Sequence, residues 1–375
     1  MIGPFLAVCL GLCLCSSWAT RACATEDNVR VSLFEAFAPP RAIGVSGPLE
    51  VLYPTARSLP PGSYELAARG SKVELFALKN PERRPAITAE RLVLRGPMAG
   101  LALTYPGKQA RRYRGTIMLV PSSRGTLRII NELAARQYVT AVVGSETLPG
   151  WPAEALKCQA VLTQTRLCRY RPGDKLADST QQEAYLGAAY ERPEVRAAVD
   201  SVWGWVLTYK GRPVSPFYHS ACAGRTSNGE DIFGPSGRLP YLRGVICGFC
   251  SRSPFQKVKR SVIPYHVYRE ALGEEVPVIS NTDLAGRPIE LRLNNGTTKG
   301  GYDFWIAIGQ KLGWDKVPGT RYSLSRKTDG PVVLESTGAG HGVGLCQWGA
   351  AQLARRGWSF SQILRFYFPG TSVAR

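Results

Sequence analysis

Apolar and polar residues alternate along the first third of the chain, which predicts β-strands there. Valine and leucine alternate with arginine and serine over 29–33, as in a strand with one buried face. The stretch 43–53 indicates strand, turn and strand, 59–64 indicates a turn, and 72–78 indicates another strand. We therefore expect a β-rich N-terminal domain over residues 25–115, of scaffolding or binding type.

The middle of the chain changes to the three- and four-residue spacing of a helix. After a strand predicted at 113–120, an apolar run at 139–143 leads to Glu146, which lies in a Ser-Glu-Thr-Leu-Pro turn. Pro152 suits the first turn of a helix, because its missing N–H would have no partner there. The apolar face of a long amphipathic helix is then predicted to contain Ala155, Cys158, Val161, Leu162 and Thr165.

The remaining part of the chain mixes both patterns. The predicted elements are a helix at 194–202, a hairpin at 205–214 turning at Lys210 and Gly211, a hairpin at 282–294 and a helix at 302–312. The fold class that we expect is α+β, with an antiparallel sheet packed against the long helix and preceded by the β-rich domain. Residues 116–375 are assigned to one catalytic domain.

The first 24 residues have the character of an export signal. An apolar core spans 5–18, and Ala22 and Ala24 supply small residues before a cleavage at Thr25. The alternatives are a short membrane anchor and lipidation at Cys23. No mid-chain segment is long and apolar enough to span a membrane. We expect an exported protein, in the periplasm or on the cell-wall side of the membrane.

The charge of the chain predicts an anionic partner. Formal net charge is +19, from 47 Lys and Arg against 28 Asp and Glu. For an exported protein, cell-wall polymer or phospholipid headgroups fit this charge better than DNA does. The sequence has no zinc-finger spacing, RNP motif or helix-turn-helix signature, so nucleic acid is not an expected partner.

Two short motifs combine metal-binding residue types. His219 and Cys222 form H-x-x-C, and Cys247 and Cys250 form C-x-x-C. Four nitrogen and sulfur ligands in two close pairs match a tetrahedral zinc site. Because an exported protein permits disulfides, the alternatives are a bond from Cys222 to Cys247 or Cys250, or free thiols.

Three blocks of the sequence, in order, resemble the SpoIID/LytB family of sporulation and cell-wall proteins. Residues 145–161 contain Ser-Glu-Thr-Leu-Pro, Trp-Pro and Glu-Ala-Leu-Lys-Cys-Gln-Ala-Val. Residues 217–234 are similar to a His-Ser-x-Cys-Gly-Gly-x-Thr segment. Residues 338–371 are similar to a Gly-His-Gly-Val-Gly-Met-Ser-Gln-Tyr-Gly-Ala box with its following helices. The resemblance covers well over half of the chain.

The resemblance implies a peptidoglycan lytic transglycosylase with Glu146 as its general acid/base. Such an acid needs a pKa raised by an apolar or crowded setting, which the apolar neighbours of Glu146 favour. A transglycosylase needs one carboxyl, because the 6-hydroxyl of the sugar displaces the bond and leaves a 1,6-anhydro-muramyl end. A hydrolase needs a second carboxylate, for which Asp178, Glu230 and Asp231 are candidates.

The resemblance also implies further site residues. Those expected to bind substrate are Lys157, Tyr185, His341 and Gln347. Some family members hold zinc with a His and Cys residues of this region, which implies a structural zinc at His219, Cys222, Cys247 and Cys250. The chain departs from the family at Gln164, where Arg is common, and this puts substrate handling or full activity in question.

A second function from the same resemblance is a non-catalytic, wall-binding enhancer of an N-acetylmuramoyl-L-alanine amidase. The expected partners are therefore peptidoglycan glycan strands and a cell-wall amidase. A zinc peptidase is a weaker alternative, since the chain contains no H-E-x-x-H motif. Anhydro-sugar products would separate the transglycosylase from the enhancer.

Overall fold

The structure is a computed structural model that describes residues 28–79, 84–170, 175–179, 182–273 and 275–375. The expected export signal, residues 1–24, and Cys23 lie outside the described residues. Within the described residues, no helix combines the length and apolar character that crossing a membrane requires. The predicted α+β class is confirmed, and the sheets are mainly antiparallel.

Strands dominate the first part of the described chain, and the helices begin at Ala135. The strands are β1 (Asn28–Ser32), β2 (Ala42–Tyr53), β3 (Arg57–Arg69), β4 (Lys72–Ala77), β5 (Ile87–Ala89), β6 (Leu92–Arg95), β7 (Leu101–Thr104), β8 (Arg111–Tyr113), β9 (Thr116–Pro121), β10 (Leu127–Ala134), β11 (Leu176–Ala177), β12 (Val206–Tyr209), β13 (Arg212–Pro213), β14 (Tyr218–His219), β15 (Lys259–Ile263), β16 (Val278–Thr282), β17 (Pro288–Arg292), β18 (Thr298–Gly300), β19 (Arg321–Arg326), β20 (Val332–Thr337), β21 (Leu345–Cys346) and β22 (Ser372–Ala374). The helices are α1 (Ala135–Glu146), α2 (Ala153–Leu167), α3 (Pro193–Ser201), α4 (Gly229–Phe233), α5 (Tyr265–Leu272), α6 (Gly301–Leu312), α7 (Gln347–Arg355) and α8 (Phe360–Tyr367).

The N-terminal part is one large sheet. Among the described residues it has 11 strands, with the order β11-β1-β10-β9-β6-β2-β3-β4-β5 and with β7 and β8 attached through β2. Its strands alternate buried and exposed residues, as β10 does, because one face covers the core. The sheet includes β9 and β10, so it continues past the domain boundary that we predicted at residue 116.

Two local predictions in this sheet are wrong. The stretch 43–53 is one strand, β2, with a register shift between Gly47 and Leu49 where the backbone of Gly47 has a φ of 110°. This bulge accommodates Pro48, which has no N–H to give to the sheet. Residues 59–64, which we predicted to form a turn, are instead part of β3 and pair with β2 across this bulge.

The helical layer is organised around α2. The prediction of a helix here is confirmed. The prediction that this helix is amphipathic is wrong, because residues outside the expected apolar face, such as Leu156, Ala160 and Thr163, are buried as well. It is in contact with α1, α3, α7, α8 and β12, which cover it on several sides. The apolar run at 139–143 forms the additional helix α1, and its side chains share one core with the sheet and α2.

Several shorter predictions are confirmed. The helix expected at 194–202 is α3, and that at 302–312 is α6. The hairpin β12–β13 turns at Lys210 and Gly211, which both have positive φ angles of 49° and 75°. The hairpin expected at 282–294 corresponds to β16 and β17.

Residues 259–337 form a small lobe with its own apolar core. It consists of the sheets β15-β20-β19 and β16-β17-β18 with α5 and α6. Its buried residues run from Ile263 to Leu334. Tyr302 packs against both this core and the main one, so the lobe is joined to the main body.

A buried arginine also joins the lobe to the body. Arg287 is 1% exposed and lies 4.0 Å from the Asp283 carboxylate. Its guanidinium donates to the carbonyl of Cys222 over 2.6 Å and to that of Arg225 over 3.0 Å. Since a buried charge without partners is costly, these bonds fix the lobe against the segment around Cys222.

We expect Arg287→Leu to destabilise the fold. Breaking a buried charge pair from one side costs about 3–5 kcal/mol, because the remaining Asp283 carboxylate stays buried. The check is the melting temperature, compared with that of Arg292→Leu at the exposed end of β17. Equal melting temperatures for the two variants would contradict this assignment.

Candidate active site

Glu146 is the point at which distant segments of the chain meet. It is the last residue of α1, and its side chain is half-buried. The backbone N–H of Ala184 donates to its carboxyl Oε1 over 2.6 Å. Gln347, the first residue of α7, donates from Nε2 to the Glu146 carbonyl over 3.2 Å. The site is therefore assembled only by the folded chain.

The end of α1 is fixed by an arginine from the segment before α3. Arg192 donates from Nη1 to the Gly144 carbonyl over 3.1 Å and from Nη2 to the Thr147 carbonyl over 3.2 Å. The last carbonyls of a helix have no partner within the helix, and a cation is favourable at this end. Arg192 thus holds the backbone on both sides of Glu146.

The surroundings of Glu146 favour its protonated form. Burial is the largest influence and, with the nearby Glu183 carboxylate, raises the pKa of Glu146 to about 7. The hydrogen bond from Ala184 and contacts with Tyr218 and Gln347 act in the opposite direction. A glutamate that is protonated near neutral pH can act as a general acid, which an ordinary glutamate cannot do at this pH.

Glu183 is a second carboxylate beside Glu146, and the sequence analysis missed it. It is 1% exposed, and it accepts from Thr163 Oγ1 over 2.9 Å and from the hydroxyls of Tyr138 and Tyr218 over 3.3 Å each. No periodicity marks it. The available signal was its place in residues 178–187, a further segment that resembles the family and that includes Tyr185.

The three residues that we considered as the second carboxylate of a hydrolase have partners elsewhere. Asp178 pairs with Arg111 over 3.4 Å beside the N-terminal sheet. Glu230 pairs with Arg243, and Asp231 accepts from a neighbouring asparagine. The structure thus brings Glu183, rather than these residues, to Glu146.

Two amide side chains line the other side of the site. Gln347 Nε2 donates to Gln159 Oε1 over 3.2 Å as well as to the Glu146 carbonyl. Gln159 is 1% exposed, and its Nε2 has no partner among the described groups. Because buried donors are normally bonded, Gln159 offers a free donor next to Glu146.

His341 does not offer a free nitrogen. Its Nε2 donates to the Tyr218 carbonyl over 2.8 Å, and its Nδ1 accepts from the Val343 N–H over 3.2 Å. Burial lowers the pKa of His341 to about 4, so the ring is neutral. The residue expected to bind substrate instead fixes the backbone of Tyr218.

Lys157 and Tyr185 also have internal partners. Lys157 Nζ donates to Glu154 over 2.6 Å, and Glu154 accepts from the Phe360 N–H over 2.7 Å. Tyr185 is 1% exposed and donates its hydroxyl to Asn131 over 2.6 Å. The first pair therefore ties α2 to α8, and Tyr185 belongs to the core rather than to a binding surface.

Gln164, the departure from the family pattern, is a packing residue. Its Nε2 donates to the Ala160 and Val202 carbonyls over 3.2 Å each, and its Oε1 accepts from the Gly204 N–H over 2.8 Å. Arg166 lies beside Glu183 instead and donates to the Gln182 carbonyl over 3.0 Å. The cation of this region is therefore Arg166.

Four buried cysteines converge close to the site: Cys222, Cys247, Cys250 and Cys346. Their sulfur atoms all lie within 4.8 Å of one another, and those of Cys222 and Cys250 are 3.4 Å apart. These four cysteines are free thiols here, so the alternative disulfides from Cys222 are not formed in this structure. Three of the four predicted ligands are brought together, and Cys346 takes the fourth position.

His219 lies outside this group. Its Nδ1 contacts the Val343 carbonyl over 3.1 Å, and its Nε2 is buried without a hydrogen-bond partner in the described part of the chain. Burial is the main cause that lowers the pKa of His219 well below its usual range. The ligand set with His219 is therefore not the one that the fold assembles.

Two of the cysteines lie close in sequence to residues of the site: Cys346 precedes Gln347, and Cys222 follows Tyr218 by four residues. Strands β14 and β21 pair in parallel, with Tyr218 opposite Leu345 and His219 opposite Cys346. Cys346 Sγ accepts from the N–H of Gly349 over 3.4 Å and so caps α7, which begins with Gln347. The cysteine group therefore borders both Tyr218 and Gln347.

Comparisons with known proteins show what this chain is similar to. A family model described as SpoIID, Stage II sporulation protein, matches residues 123–209. The chain is 26% identical over 292 residues to the stage II sporulation protein D of Bacillus subtilis, covering 71% of this chain and 82% of that protein. The predicted resemblance to the SpoIID/LytB family is confirmed by these matches.

Other relatives extend the similarity within the SpoIID/LytB family. An uncharacterized protein of Brachyspira hyodysenteriae is 28% identical over 278 residues, covering 70% of this chain and 72% of that protein. The amidase enhancer of Bacillus subtilis is 24% identical over 282 residues, covering 62% of this chain and 39% of that protein. The match to residues 123–209 includes Glu146 and Glu183, whereas the cysteine group and Gln347 lie beyond it. These relatives are consistent with a function connected to the cell wall.

The buried acid predicts a pH-dependent effect of Glu146→Gln on stability. Since folding raises the pKa of Glu146 to about 7, its contribution to stability is complete below its unfolded pKa and is lost as pH rises through 7. Glutamine never ionises. The free energy of unfolding of the variant should therefore rise relative to that of the wild type by about 1–3 kcal/mol between pH 4.5 and pH 8.

Melting temperatures of both proteins across this pH range test the prediction. Glu270→Gln, at an exposed position of α5, serves as the control and should show a constant difference from the wild type. A difference for Glu146→Gln that does not change with pH would show that Glu146 titrates normally.

Proposed function

We propose that this protein is an exported peptidoglycan lytic transglycosylase that cleaves glycan strands with Glu146 as general acid and then base. The observation that carries the proposal is a carboxyl group with a raised pKa where the family-like blocks meet. Similarity to a sporulation protein and to an amidase enhancer supports a cell-wall substrate. The net charge of +19 suits an anionic polymer.

The reaction needs one carboxyl group used twice. Protonated Glu146 gives its proton to the glycosidic oxygen, and the bond from that oxygen to C1 of the muramyl sugar breaks. The Glu146 carboxylate then takes the proton from the 6-hydroxyl of the same sugar, while O6 forms a bond to C1. The products are a free hydroxyl on the leaving sugar and a 1,6-anhydro-muramyl end, and Glu146 regains its proton.

The state of Glu183 supports this reaction over hydrolysis. A hydrolase needs a second carboxylate that contacts either the sugar or a water molecule. Glu183 is 1% exposed, and three hydroxyl groups donate to its oxygens. It therefore has no open side from which to attack a sugar or to activate water.

Gln347 is the substrate-binding group that we propose. Its amide contacts the Glu146 carbonyl, and the buried Gln159 holds it in place. An amide is a suitable hydrogen-bonding partner for sugar hydroxyls and acetamido groups. Lys157, Tyr185 and His341 are already occupied within the protein, so we do not assign substrate contacts to them.

The relative named as an amidase enhancer supports a second candidate function. In that case the chain would bind the cell wall and stimulate an N-acetylmuramoyl-L-alanine amidase, and Glu146 would not catalyse cleavage. The two functions share a wall partner and an exported location, which the signal-like residues 1–24 support. They differ in their products.

We further propose a structural zinc ion held by Cys222, Cys247, Cys250 and Cys346. Zinc bound by four thiolates at about 2.3 Å places its sulfurs about 3.8 Å apart, close to the spacing in this group. Donors already surround the sulfurs, with Gln256 Nε2 3.1 Å from Cys250 and the Tyr367 hydroxyl 3.0 Å from Cys247. Four protein ligands leave no open position, so the ion would hold β14 and β21 in place.

The transglycosylase is tested by mass spectrometry of the products released from peptidoglycan, both intact and stripped of stem peptides. We expect anhydro-muramyl products from the wild type and at least a 100-fold lower rate for Glu146→Gln, because general acid catalysis typically contributes that much. Glu270→Gln should retain wild-type activity. Absence of products from either substrate, with folded protein, would favour the amidase enhancer.

Metal analysis of variants tests the proposed ligands. Wild type and His219→Asn should each contain about one zinc per chain by plasma mass spectrometry, as expected of a four-cysteine site. Cys346→Ser should lose most of the metal and melt at a lower temperature. Cys158→Ser, which removes a buried cysteine outside the group, is the control. Metal loss in His219→Asn but not in Cys346→Ser would instead support the ligand set predicted from sequence.

A further inference from the structure

The hydroxyl group of Tyr218 lies between the two carboxyl groups of the site. It is 3.3 Å from Glu183 Oε1, and it is near enough to the Glu146 carboxyl to lower the pKa of that group. A tyrosine hydroxyl has one proton to donate and lone pairs to accept with. It can therefore donate to only one of the two carboxyl groups at a time.

Glu183 has the donors that an ionised carboxylate requires. Thr163 and Tyr138 donate to it in addition to Tyr218, and the charge of Arg166 is close by. Burial raises the pKa of Glu183, while Arg166 and the three hydroxyls act against this. Glu146 has fewer donors and no cation of comparable effect, so of the two it is the one that retains a proton.

We propose that Glu183 and Tyr218 are positioning residues that set the protonation of Glu146: Tyr218 donates to Glu183 while Glu146 is protonated, and to Glu146 once Glu146 is ionised. The proposal rests on the acid role of Glu146 proposed above and deepens it. In the first state the Glu146 proton points to the glycosidic oxygen or to the Tyr218 oxygen. In the second state the Tyr218 proton stabilises the new carboxylate.

Neither Tyr218 nor Glu183 gains or loses a proton in this change. Rotation of one hydroxyl group follows the charge of Glu146, and Glu183 keeps its bonds to Thr163 and Tyr138 in both states. The Tyr218 backbone is held in place, because its carbonyl accepts from His341. His341 therefore contributes by fixing the residue that serves both carboxyl groups.

The other charged and titratable groups around the pair are fixed. The groups that face the pair are Tyr138 on α1, Arg166 on α2, Tyr170 after α2, Arg192 before α3 and His341 before β21. Arg192 is paired with Glu194 over 2.9 Å, and His341 is neutral. A substitution of Glu183 therefore changes the charge around Glu146 and leaves Arg166 and Arg192 in place.

Two substitutions should shift the titration of Glu146 in opposite directions. Glu183→Gln removes a neighbouring negative charge and frees the Tyr218 proton, so the pKa of Glu146 should fall by about one unit. Tyr218→Phe removes a donor to the ionised form, so the pKa of Glu146 should rise. The basic limb of the pH–rate profile for anhydro-muramyl release should move with it, to lower pH in the first variant and to higher pH in the second.

The titration is also measured without substrate, by NMR of the full chain labelled with ¹³C at glutamate carboxyls and assigned with Glu146→Gln. Tyr138→Phe is the matched control, because it deletes a hydroxyl that donates to Glu183 but, unlike that of Tyr218, is not among the main groups that lower the pKa of Glu146. It should shift the Glu146 signal less than Tyr218→Phe does. A merely structural role for Glu183 and Tyr218 predicts no such opposite shifts.

The two measurements separate this proposal from the function on which it rests. Opposite shifts support the proposal, even if the wild type releases no sugar products, in which case the transglycosylase alone fails. Unchanged titration of Glu146 in Glu183→Gln, or shifts of the same sign in both variants, would overturn the proposal even if the enzyme is active.

Discussion

The cost of burying negative charge governs this site. Glu146 and Glu183 lie next to each other where little water reaches them, so both cannot be ionised cheaply. The chain gives Glu183 hydroxyl donors from three elements: Tyr138 on α1, Thr163 on α2 and Tyr218 on β14. Glu146 remains the carboxyl that holds a proton. The packing of α1 against α2 and of β14 beside them is therefore also what sets the chemistry of the acid.

Two strands of two residues each carry much of this arrangement. Pairs as short as β14–β21 are not stable alone, so other contacts must hold them. The sulfur of Cys346 caps α7 at one end of the pair, and Cys222 lies just beyond the other strand. The buried Arg287 fixes the Cys222 carbonyl from the small lobe. The lobe and the cysteine group thus stabilise the same few residues from two directions.

The sequence supports the fold class, the helix α2 and the position of Glu146, because these depend on local spacing and on motifs that are continuous in the chain. It could not identify Glu183, since that residue matters only through contacts with side chains 20 to 45 positions away. Tyr185 illustrates the opposite case: it lies in a family-like segment, but the sheet covers it completely. Residue type and motif cannot distinguish a buried hydroxyl group from one that faces a ligand.

The contrast in exposure between the two carboxyl groups bears on the choice of reaction. A pair of open carboxylates would favour hydrolysis, with one group activating water or attacking the sugar. Here Glu146 is half-buried and contacts the Gln347 amide, whereas the oxygens of Glu183 face protein hydroxyls. A single accessible acid suits a reaction in which the substrate supplies its own nucleophile. In the proposed reaction, the closed carboxylate acts through its charge, by keeping the open one protonated until a leaving oxygen takes the proton.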